Sequence, residues 1–571
     1  MDQSHDLSRA GNSERCVTKI GLMVDNSVVP GYLAELVSQI EASDDLELTI
    51  VIEHARADTE RGAQRFIGLF RREGIRSAVA RLFFAILTKL ERYFFVRKAE
   101  NRQLLETHDL SDRYPVIRIA PIVSKSGFVF RFGAEDIAKL KDLQLDVLIR
   151  GGSGILRGDI LRVARKGIIS LHHADNRVNR GGPAGFWEVR HEVPGTGFIV
   201  QRLSEELDGG EVLFRGSFAT EGSYFRNQQY LYARSIPYLT SVLRQIAEGR
   251  EQVIEDRVYD GVLYKSPLVL DQVAYLFGMA RRLTHKVLRK LLFRHRWEVA
   301  IVTAASWRSA VLWRAKPVKA PAGSWIADPF LFEDGGETWM LAERYVEAKS
   351  RGVIALFRKV SGKPEFAYVE DVLEEPFHLS FPFVFRHGGD LFMIPESADA
   401  RQVRLYKADG GPHHWTLASV LIDNVDAVDT MVVPASDGNL GLLTSIKRAS
   451  CGSFNGELHG YLGSAPDGPW IALSDPVSVS ASLGRNGGMI DAPDGFYRVA
   501  QSPGFGEYGK CANVTRIDSL DNLGLDETLV QVIQPAFDPR VERVHHISWH
   551  NGLLAFDKYA RRSRIAWWKP F

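Results

Sequence analysis

The sequence predicts two unlike halves: a doubly wound α/β domain, then an all-β five-bladed propeller. Three observations lead there. Near the N-terminus, apolar runs of strand length alternate with amphipathic stretches, the pattern of a parallel sheet with crossover helices. From Val302 onward the chain changes to short strands, Asp/Gly turns and aromatics. Within that second half one motif recurs five times, which points to blades of a propeller. At 571 residues the chain also exceeds one core, so at least two domains are expected.

Taken in order, residues 1–17 are polar, lack an apolar run and read as a disordered lead, not a secretory signal. Thr18–Asp25 reads as a buried strand, Leu33–Ile40 as an amphipathic helix and Leu46–Glu53 as a second strand. Phe66–Lys98 has a helical pattern rich in cations, among them Arg76, Arg81, Lys89, Arg92, Arg97 and Lys98. Such a helix is either an insertion packed on its own domain or an element lying on a membrane surface. Glu135–Leu143 reads as a helix and Asp146–Arg150 as a strand entering a glycine-rich loop. The loop lacks G-x-G-x-x-G spacing, so it is weak evidence for a dinucleotide. Gly167–Leu171 and Glu211–Phe218 read as strands, and Tyr224–Gly249 as the helix that closes a first domain, 18–265. Residues 266–300 form a basic helical connector; the part from 281 to 296 contains no acid. It presents a solvated face, or meets anionic lipid or a phosphorylated substrate.

Chemistry concentrates between Gly167 and Gly210. A strand ending in His172-His173-Ala-Asp175-Asn176 puts imidazoles and amides at the carboxyl edge of a sheet, where open α/β folds hold ligands. Read alone, His172 is equally a satisfied structural residue, and Asp208 a turn residue before Gly-Gly. The stretch resembles the formyltransferase family, including methionyl-tRNA and sugar N-formyltransferases, which use 10-formyltetrahydrofolate. His172, Arg180-Gly181, Trp187, Thr196-Gly197 and Asp208 fall on its motif in order, with Ser170 where the family has Asn. The resemblance implies that His172 steadies an oxyanion while Asp208 keeps the imidazole charged and helps move a proton. Ser170, Asn176, Asp175 or His173 would take the place of the Asn. It also implies that Gly151, Gly154, Ile155 and Leu156 line the folate pocket, where a tight strand-to-helix turn needs the same glycines. His173, Asp175, Arg180 and Trp187 would meet the acceptor.

The repeats begin at Ala327, Phe381, Val428, Gly484 and His545, and are anchored on Asp328, Pro382, Asp429, Gly487 and His546. Their spacing is about 50–60 residues. They resemble the propeller of one clan of glycoside hydrolases and, more closely, the N-terminal region of glucosamine inositolphosphorylceramide transferases. Asp328 lies in the Ala-Asp-Pro that opens the acid set of that clan, and Glu343, Glu396 and Asp429 are the other channel acids. The resemblance implies glycoside hydrolysis by paired carboxylates, glycan recognition, or a scaffold.

Composition narrows the rest. A net charge of +1 gives no global attraction to nucleic acid. Cys16, Cys451 and Cys511 support neither a disulfide framework nor a metal site. No apolar run reaches spanning length, so a soluble cytoplasmic chain is expected, at most peripheral to the inner membrane face. The combined expectation is formyl transfer from 10-formyltetrahydrofolate to a nucleotide- or lipid-linked amino sugar in surface-glycan biosynthesis. Its competitors are a glycosidase and a non-catalytic glycan-binding assembly module.

Overall fold

The computed structural model describes residues 17–54, 63–125, 127–206, 209–254, 262–448, 452–453 and 456–564. The lead up to residue 16, with Cys16, and also Cys451 and Asp208 lie outside them.

A seven-stranded sheet organises the first half. Its strands are β1 (Thr18–Val24), β2 (Leu46–Glu53), β3 (Val116–Arg118), β4 (Val147–Arg150), β5 (Ile168–His172), β6 (Gly195–Arg202) and β7 (Glu211–Ala219). Their order is β7-β6-β5-β4-β1-β2-β3. The last five run parallel, whereas β6 and β7 are antiparallel additions at one edge. The sheet is therefore mixed, not parallel throughout as the strand–helix alternation predicts. A short loop joins β6 to β7, and only an antiparallel pair can be closed that way.

Alternating side chains serve the two faces. Ile20, Leu22, Val24, Val51 and Ile149 pack against α1 (Gly31–Glu41) and the long helix Tyr224–Ala247. Met23, Ile50, Ile52 and Leu148 pack on the other face against Ile137 and Leu140 of the helix Ala134–Asp142. Two further helices lie outside this sandwich. One, α2 (Ala63–Phe95), breaks at Gly74, whose φ of 81° is left-handed. The second, α3 (Val269–Leu292), crosses it.

In the second half, largely antiparallel strands form four sheets. The first runs Ser324–Asp334, Glu337–Val346, Arg351–Lys359, Phe366–Leu373, and the second Ser380–His387, Asp390–Glu396, Gln402–Ala408, Trp415–Asp423. The third begins at Ala427–Pro434. The fourth has nine strands: it joins Asn486–Ala492 and the strands after it to Ile547–His550, Leu553–Ser563 and Phe293–Thr303, with Ile490 beside Trp549 in a parallel pair, so chain segments from both ends of this half share one sheet. Residues 293–300, expected inside the helical connector, are thus strand: Trp297, Val299 and Ile301 alternate as a sheet requires. The first strands of successive sheets touch in cyclic order, and the strand at Ile547 returns to the one at Ser324.

The two halves share a core. Phe198, Phe218, Leu231 and Tyr238 enclose Val479, and Ser217 Oγ accepts a hydrogen bond from the Ala481 amide at 3.1 Å.

Candidate functional site

One structural device recurs in the second half. In four sheets the first strand carries a bulge, between Ala327 and Phe330, Ser380 and Phe383, Val428 and Met431, and Asn486 and Met489. The bulged residue adopts positive φ at Asp328 (50°), Phe381 (43°), Asp429 (52°) and Gly488 (110°). Asp tolerates this region, as does Gly; a buried Phe there is strained and held by its surroundings. Phe381 is the positive-φ counterpart of Asp328, one position before the Pro382 taken as the repeat anchor. Opposite the residue before each bulge stand Glu343, paired with Ala327, and Glu396, paired with Ser380.

The bulges aim these side chains at one cavity of about 370 Å³. Asp328, Glu343, Glu396 and Asp429 all line it, with Trp297, Trp325, Tyr345, His378, Arg485, Tyr508 and His545. Burial pushes the Asp328 carboxyl up to about 7, with Asp557 and Asp429 adding to the rise and His545 opposing it. Glu343 is raised well above the usual range by burial and by the neighbouring acids. Glu396 is raised by burial and by Asp429, against the pull of Arg485.

Cations are fewer. Arg485 Nε donates to Asp429 Oδ2 at 2.5 Å, and its guanidinium lies 4.7 Å from the Tyr508 ring centre. Burial disfavours the Arg485 charge, but Asp429, Tyr508 and Glu396 outweigh it and raise its pKa. Gln501 also donates to Asp429 Oδ2, at 3.0 Å. His545 stacks on Trp297 at 3.9 Å and binds Asp557 through Nδ1 at 2.7 Å. Burial opposes the imidazolium, yet Asp557 and Asp328 raise the His545 pKa. Asp557 also accepts the Asp328 amide at 3.2 Å, tying the last strand to the first bulge. His378 Nδ1 accepts the Gly352 amide at 2.8 Å, which leaves Nε2–H facing Glu343 at 3.6 Å. Trp325 and Tyr345 stack at 4.8 Å on the cavity wall. Among the described residues, Asp328, His545 and Asp557 form a trio that could hold a metal ion, with ligand atoms within 4.8 Å.

Sequence reasoning named the four acids but missed Arg485, His545, Asp557 and Trp297. The first three lie inside repeats it recognised: Arg485 and His545 have no acidic equivalent, while Asp557 lies on the second strand of its repeat, as Glu343 and Glu396 do on theirs; Trp297 was assigned to the connector.

In the first half several predicted residues lie near the end of β5. Ser170 is buried beside Arg150, whose Nη1 donates to it at 3.4 Å. His172 ends β5, while His173 is packed on Tyr232 at 4.3 Å and burial drives its pKa down to about 3. Arg215 holds Asp175 at 2.5 Å and Asn176 at 2.8 Å. Arg180 is in a strand pair with Leu263, and Trp187 stacks on Tyr264 at 4.6 Å. Asp208, the proposed partner of His172, is outside the described residues. The glycine loop is explained by packing. A Cβ at Gly152 would lie 2.3 Å from His54, and one at Gly154 2.5 Å from Phe130. Ile155 and Leu156 pair as a strand with Val129 and Phe130. The loop's shape needs no folate to account for it.

This geometry defines an all-β unit with a carboxyl-rich cavity. Residues 297–544 match the family described as "Glucosamine inositolphosphorylceramide transferase 1, N-terminal". The chain is 32% identical over 217 residues to glucosamine inositolphosphorylceramide transferase 1 of Oryza sativa subsp. japonica, covering 36% of this chain and 29% of that protein. With the Arabidopsis thaliana protein of the same name it shares 31% identity over 230 residues, 39% of this chain and 28% of the relative. The chain thus spans less than a third of the curated relatives it matches. A solved glycinamide ribonucleotide transformylase 1 from Symbiobacterium toebii superposes with a TM-score of 0.27 at 16% identity, over 42% of this chain and 95% of that one. That score carries no argument. The expected formyl transfer from 10-formyltetrahydrofolate is corrected here: the relatives found by sequence are named for a transferase of another kind.

Proposed function

We propose that the second half is a five-bladed propeller whose axial cavity binds an amino sugar, and that the chain serves glycosyl transfer in glycan or glycolipid assembly. The first half, a doubly wound α/β domain in this reading, carries it. One observation supports the proposal above the others: five carboxyls, four buried and Glu396 partly so, gather at one axis against two cationic groups, Arg485 and His545. Such a site attracts an ammonium group, and the Trp297, Trp325 and Tyr345 rings add faces that favour a cation and an apolar sugar face.

Burial and the neighbouring acids disfavour charge on Glu343 and Glu396. An arriving ammonium offsets that penalty, so binding favours proton release. The names of the plant relatives, which specify glucosamine and a transferase, support the substrate class.

Calorimetric titration with glucosamine, glucose and N-acetylglucosamine tests the proposal. Glucosamine alone is expected to bind, with an enthalpy that varies with the buffer's ionisation heat, as proton release demands. Affinity is expected to rise between about pH 6 and about pH 8, as Asp328 ionises. Glu343→Gln with Glu396→Gln removes the proton release. Equal binding of all three sugars, or of none, would sink the proposal.

A further inference from the structure

We propose that α2 and α3 form a surface that docks on an anionic lipid bilayer. On a surface helix the apolar stripe ordinarily faces the core. Here an apolar stripe is left over on the outside. The inward faces of α2 and α3 already pack Leu87, Phe95 and Tyr275 against Phe186, Trp187, Tyr224 and Phe225. Tyr275 Oη donates to Glu91, and Gln272 Nε2 donates to the Ala80 carbonyl at 2.8 Å. The outward faces carry further large apolar side chains. On α2 these are Ile75, Val79, Leu82, Ile86, Leu90 and Tyr93, spaced by three or four so that they share one face, and all more than two-fifths exposed. On α3, Leu270 is 81% exposed, Phe277 70% and Leu291 64%, with Val273 and Val287 at the intervening turns. Apolar surface of this extent marks a site of association.

Charge selects the occupant. Residues 74–98 contain six Lys/Arg and 269–292 contain five, against one acid in each segment. Both acids are turned to structural use: Glu91 is buried and accepts the Phe225 amide at 2.7 Å, and Asp271 accepts the Leu268 amide at 2.9 Å. Arg281 and Arg282 are paired with Glu192, and Arg289 with Glu507. Arg76, Lys89, Arg92, Lys286 and Lys290 have no ion pair with a described residue. A second copy would oppose this cationic face with another, whereas anionic headgroups complement it and the acyl boundary receives the leucines. No helix among the described residues is long and apolar enough to cross a membrane, so the contact is interfacial.

Flotation of the full chain with vesicles tests this independently of any sugar binding. Binding to phosphatidylcholine vesicles containing phosphatidylglycerol is expected to exceed that to phosphatidylcholine alone by about tenfold or more, and to fall with added salt. Phe277→Ser with Leu291→Ser, and separately Lys286→Glu with Lys290→Glu, are each expected to weaken it about tenfold with unchanged circular dichroism. Should the apolar pair disturb folding, the exposed charge pair still decides. Absence of vesicle binding overturns the proposal, as does binding indifferent to the charge pair. A concentration-dependent dimer abolished by Phe277→Ser would assign the face to a second copy and overturn it too.

Discussion

At Asp328 a left-handed backbone and a buried carboxyl coincide, and its titration gives the site a pH signature. Burial, first of all, pushes its pKa up to about 7. An unfolded Asp titrates near about 4, so between about pH 4 and about pH 7 the folded chain holds a proton that the unfolded chain has lost. Stability tied to this group is full below that window and lost as pH rises through it. Asp328→Asn is expected to raise Tm by several degrees in alkaline buffer and to leave it nearly unchanged in acid; an equal shift in both would refute the assignment. Arg485 poses the opposite case. Arg485→Met strands Asp429 in the interior, with an expected loss of about 3–5 kcal/mol in urea unfolding. Adding Asp429→Asn is expected to recover much of it. Residues such as Asp328 and Asp429 were legible in the sequence because each sits in a repeat beside turn signals. Arg485 and Asp557 were not, because their roles come from neighbours far away in sequence.

Among the elements, the bulged first strand explains most of the site. Glycine replaces the acid in the strand Asn486–Ala492, beside Ile547–His550. A Cβ on Gly487 would lie 2.2 Å from the His545 carbonyl, and one on Gly488 2.2 Å from that of Ile547. Gly487→Ala is therefore expected to cost about 3 kcal/mol or more, read by chemical denaturation, and to loosen His545 from Asp557. Strand periods and turns in the repeats gave the sheets directly. Helices α2 and α3 were legible as basic and helical. That each keeps a second apolar stripe outside was not, since a stripe of leucines conventionally predicts burial, and here Leu87, Phe95 and Tyr275 take the buried side.

Taken whole, the molecule couples its halves through Val479, set among Phe198, Phe218 and Tyr238. Wild-type protein is expected to melt in one transition, whereas Val479→Asp, which buries a charge in that joint, is expected to split it in two by calorimetry. A single unsplit transition in the variant would show that the joint does not couple them. The nine-stranded sheet also joins both ends of the second half: Phe293–Thr303 pairs with Leu553–Ser563. Loss of either strand is therefore expected to leave the other unpaired along that edge.

By itself the sequence determined an α/β half followed by a β half and most strand and helix positions, from local periodicity, turn chemistry and repetition. The four acids of one cavity came from the resemblance of the repeats to glycoside-hydrolase propellers. Only the tertiary structure decided that β6 and β7 run antiparallel, that the glycine loop is filled by His54 and Phe130, and that Arg485, His545 and Asp557 complete the acid cluster. Charge pairing and desolvation depend on which groups meet in space, and residues as distant as Asp328 and Asp557 meet only when the strands that carry them come together.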